Sequence, residues 1–94
     1  MRKLSEIKGD EAFDVIADLL EPISIIFTDE DVAKEESRLK KVSIALKKHK
    51  NEIISMLAIL EGTTPEKYAE TVNLATLPKA VMDLFSDEDL SILF

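Results

Sequence analysis

The sequence predicts an all-α fold, a compact single-domain bundle of about five or six helices. Apolar residues recur at helical spacing through most of the 94-residue chain, and only 2 Gly and 3 Pro leave few places for hairpin turns. A helix-start signal, in which an apolar residue and a hydroxyl precede three acids and a further apolar residue, is written twice, at Phe27–Val32 and Phe85–Leu90. One departure stays open. The β-branched run ISIIF at 23–27 also suits an edge strand, with residues 3–7 as its partner in a minor two-stranded pairing.

An acidic N-terminal helix is expected over 10–21, begun by Asp10 and Glu11. Phe13, Ile16, Ala17 and Leu20 would face the core, Asp14, Asp18 and Glu21 would face water, and Pro22 would end or kink the helix. Thr28 is the expected N-cap of the next helix, with Phe27 and Val32 as a hydrophobic staple across it. Central helices fill 29–61: Leu39, Val42, Leu46, Ile53, Leu57 and Leu60 form one broad stripe, widened by Ile44, Ile54 and Met56, so this region should be touched from several sides. The KKHKN run at 47–51 interrupts that stripe and suggests a break within 47–52, capped by Asn51. Gly62 is placed as the residue that ends the central helices. C-terminal helices over 65–94 then follow. Thr63 or Thr64 with Pro65 starts a short one reaching about Thr71, residues 73–76 connect, and Pro78 opens the helix carrying Val81, Leu84 and Phe85.

With no cysteine the chain cannot be a disulfide scaffold or a thiolate metal site. No apolar run is long enough to span a bilayer, and the amino end lacks the apolar core of a secretory signal, so a cytoplasmic protein is expected. A domain of this length leaves little mass for an enclosed substrate pocket. Net charge is −7, but the distribution is uneven: residues 1–9 carry +2, 10–31 carry −8, 32–50 carry +5 and 51–94 carry −6. Such opposed blocks steer association between proteins.

Candidate chemical sites are weak. Counting an EF-hand from Asp29 puts Lys34 where its glycine belongs and Lys40 where its bidentate Glu belongs, so the acidic triplets read as helix caps. His49 has no second His and no HExxH context, no Ser lies in a nucleophile elbow, neither Gly belongs to a phosphate loop, and Tyr68 reads as a partly buried aromatic. No catalytic, metal-binding or cofactor-binding residue is assigned, and no enzyme activity is expected. The basic patch at 34–50 places Lys34, Arg38 and Lys41 on one helical face and supports an alternative, a small DNA-associated or regulatory protein. Nineteen acids and the absence of interleaved aromatics weigh against nucleic acid as a partner.

LKKHKNEIISMLAILEG at 46–62, the Thr64, Pro65, Glu66 and Tyr68 turn, Asn73, Leu74, Leu77, Pro78, Leu84, Phe85, Leu93 and Phe94, together with the opening MRKLSEIKGDEAFDVIADLLEPI, resemble the small tail assembly chaperones of phages and prophages of Gram-positive bacteria. The resemblance covers nearly the whole chain and rests on packing and capping residues. It implies a helical, self-associating chaperone that binds the tape measure protein and keeps it soluble during tail morphogenesis. It also implies residence in the cytoplasm of the bacterial host, absence from the mature virion, and a longer frameshifted form as a further partner. Combined with the charge blocks and the apolar end, it nominates Lys34, Arg38, Lys41, Lys48, Ile54, Leu57, Phe85, Leu93 and Phe94 as protein-interaction residues.

Overall fold

The α4 segment Lys50–Glu61 has apolar side chains on every side, and the fold is arranged around it. Ile53, Met56, Leu57, Ala58 and Leu60 are buried, and the helix packs against α1 (Asp10–Phe27), α3 (Arg38–Lys48), α5 (Pro65–Thr71) and α6 (Leu77–Ser86). The short α2 (Glu30–Ala33) links α1 to α3 and contributes Val32 to the same core. The computed structural model describes residues 4–86. Among them the regular elements are these six helices and a 3-10 turn at Leu4–Glu6. A Cα radius of gyration of 12.7 Å agrees with the roughly 12 Å expected of one compact domain of this length. No helix among the described residues is long and apolar enough to cross a membrane.

The all-helical expectation is borne out, and the β pairing is not. Ile23–Phe27 continues α1 beyond Pro22, and Leu4–Glu6 is a 3-10 turn. Proline removes one backbone donor from α1, but Pro22 itself, Ile23 and Ile26 are all buried, so packing outweighs the lost bond. Thr28 closes this helix instead of opening the next. Its N–H and Oγ1 both donate to the Ser24 carbonyl, at 3.0 and 2.8 Å. The N-cap of α2 is Asp29, whose Oδ1 accepts from the Asp31 N–H at 2.8 Å.

Ser37 caps α3 by accepting from the Lys40 N–H. The expected break falls at His49, which ends α3 and begins α4 in one residue, while Asn51 lies inside the first turn of α4. Gly62 ends α4 with a left-handed φ of 74°, and Thr63 and Gly62 return their N–H groups to the carbonyls of Ala58 and Ile59, a Schellman closure. Thr64 caps α5 through Lys67, with Pro65 in the first turn. The Asn73 side chain accepts from Ala75 and Thr76 to turn the chain into α6. Of the capped start expected at Phe85–Leu90, Phe85 and Ser86 are the last residues of α6, and residues 87–90 lie outside the described residues.

Candidate protein-interaction site

Helix α1 carries two apolar stripes, and the structure buries the one that the sequence pattern did not favour. Val15, Leu19, Pro22, Ile23 and Ile26 face the core. Phe13, Ile16 and Leu20, at i, i+3 and i+7, are instead 78%, 41% and 49% exposed, with Ala17 exposed beside them. At about 3.6 residues per turn, Asp10, Asp14 and Glu21 flank this outer stripe on one side and Asp18 lies one step further round. All four acids are exposed. The helix holds five acids and no basic residue.

Helix α3 presents the opposite character. Its inner side buries Val42 and Ala45, while Leu39 stands 68% exposed at the start of an outward line that continues through Ser43 to the half-buried Leu46. Lys40 and Lys47 lie along one side of that line and are exposed. This helix holds five basic residues and no acid, the mirror of α1.

A carboxylate hub joins α2 to the α3–α4 junction. Asp29 Oδ2 lies 2.8 Å from Lys48 Nζ and 2.7 Å from His49 Nε2, and Lys48 also reaches Asp31 Oδ2 at 2.9 Å. Lys34 sits 3.6 Å from the other Asp31 oxygen. The Lys48 ammonium, then the His49 imidazole, hold the Asp29 carboxyl far below the usual carboxylate range. Asp31 is lowered chiefly by Lys48, and Lys48 is raised by the two carboxylates, Asp29 first. The acidic triplet therefore does more than cap a helix. His49, read from sequence as lacking a partner, is tied to a residue twenty positions away. Among the described residues no group of His, Asp and Glu is arranged to hold a metal ion. Tyr68 is partly buried as expected, and burial followed by the nearby Glu61 charge raises its phenol.

The nominated interaction residues are dispersed. Lys34 and Lys48 are engaged in the hub. Lys34 closes α2 and Arg38 opens α3, and the non-helical residues between them mean that Lys34, Arg38 and Lys41 do not share one helical face. Arg38 and Lys41 instead line a groove of about 310 Å³ with Phe85. Leu57 is fully enclosed and Phe85 is buried, so both side chains serve the core, and Ile54 is half-buried. Leu93 and Phe94 lie outside the described residues. The sequence reading missed Phe13, Ile16 and Leu20 as surface residues because it assigned them to the core.

Comparison of the chain with family models, with curated proteins and with solved structures gives no match.

Proposed function

We propose that this protein is a tail assembly chaperone of the small phage and prophage type, which binds the tape measure protein and keeps its apolar helices soluble in the host cytoplasm. The observation that carries the reading is the outer stripe of α1. A helix whose other face already supplies the core still presents Phe13, Ile16 and Leu20 to solvent. An exposed apolar stripe bordered by charge is what a protein needs to cover the apolar face of another helix. The resemblance of the chain to such chaperones supplies the client, and the opposite charge of α1 and α3 suits recognition of protein over nucleic acid.

Two of the seven basic residues of the 34–50 segment, Lys34 and Lys48, are paired with carboxylates, which lessens the field available to a phosphate backbone and weighs against the DNA-binding alternative. Coexpression with the cognate tape measure protein tests the proposal. The client is expected in the soluble fraction, copurifying with the wild type, and in the pellet when Phe13→Asp and Leu20→Asp are combined. A client that is equally soluble with and without the wild-type chain would overturn the reading.

A further inference from the structure

We infer that the outer face of α1 on one copy of this chain is covered by the outer face of α3 on a second copy. Both halves of the contact are present on the same molecule. The acceptor is the stripe Phe13, Ile16, Leu20, flanked by Asp10, Asp14 and Glu21. The donor is Leu39 with the half-buried Leu46, flanked by Lys40 and Lys47. Apolar meets apolar along the centre, and carboxylates meet ammonium groups along the edge, where charge complementarity fixes orientation and favours encounter. Pairing α1 with α1 would set two helices of five acids each side by side, and pairing α3 with α3 would bring Lys40 and Lys47 of one copy against those of the other. Only the mixed pairing joins opposite charges.

The contact joins two different surfaces, so each copy carries one α1 face and one α3 face to be covered. Where one partner covers both faces about a twofold axis the pair closes as a dimer, and where each face takes a different partner association continues into a ring or an open chain. One helix laid on another over about three turns covers less than the roughly 800 Å² per partner of a standard stable interface. Association is therefore weak and dependent on concentration. Client and second copy use the same α1 face, so they exclude one another there.

Light scattering of the full chain across concentration at low salt provides the test. The wild-type mass should rise above that of a monomer as concentration increases. Asp14→Lys with Glu21→Lys on α1, and Lys40→Glu with Lys47→Glu on α3, should each remain monomeric. Mixed in equal amounts, the two variants should associate again, since every α1 face then finds an α3 face of opposite charge. Circular dichroism of each variant confirms folding, and Phe13→Asp with Leu20→Asp supplies a second disruption that mixing with either charge variant does not rescue through its own α1. A wild type that stays monomeric at all concentrations overturns the inference. So does an oligomer that persists in the α3 variant, which would mean a contact that does not use the α3 face, and so does a mixture that fails to associate. The measurement needs no client, so the inference stands or falls separately from the chaperone reading.

Discussion

Asp29 caps α2 with one carboxylate oxygen and receives Lys48 and His49 on the other, so its ionised form is bound up with the packing of three helices. Its folded pKa is depressed below the value of about 3.9 typical of an unfolded chain. The stabilisation is complete above that pH and drains away as the pH falls from about 4 toward the folded value. Thermal melts should show Asp29→Asn lowering the melting temperature at neutral pH and flattening its decline below pH about 4 relative to wild type. Core and surface apolar residues separate just as sharply. Leu57 has no exposed surface, and Leu57→Ala should cost roughly 2–5 kcal/mol in urea denaturation. Phe13 is 78% exposed, and Phe13→Asp should change stability by no more than about 0.5 kcal/mol. A large loss in the second variant would mean that Phe13 serves the core after all.

Helix ends were legible where the cap is local. Gly62, Thr64 and Pro65 announce the α4–α5 corner because their conformational roles depend on immediate neighbours. Gly62→Ala should lose roughly 1–2 kcal/mol in equilibrium unfolding, since an added Cβ opposes the left-handed conformation. The orientation of α1 was not legible, for a specific reason. Two stripes of this helix, Phe13–Leu20 and Val15–Ile26, both repeat at helical spacing. Taking Pro22 as a terminator cuts off Ile23 and Ile26, which make the second stripe the longer one. Once the helix runs on to Phe27, the longer stripe wins the core and the shorter one turns outward. The Thr28 hydroxyl suited an N-cap equally well from sequence, but in the fold it serves α1 and Asp29 takes the cap. The bond between Asp29 and His49 has no local signature, because tertiary packing alone brings them together.

At the scale of the molecule, the charge blocks read from the sequence become faces. The acids before residue 29 lie largely on α1, and the basic block lies largely on α3. If these faces hold copies together, raising the salt from about 0.05 M toward 1 M should shorten the Debye length to roughly 3 Å and lower the mass seen in light scattering. Mass that is unchanged or higher at 1 M would assign the association to apolar contact alone. Phe13, Ile16 and Leu20 also lie under no obligation to the folding of their own chain, because the core closes without them. Mutation at these positions is then filtered only by whatever covers them. Across related genes, the charges bordering the α1 stripe and those at Lys40 and Lys47 should therefore change sign together, an inherited record of the contact that could be read without purifying a single protein.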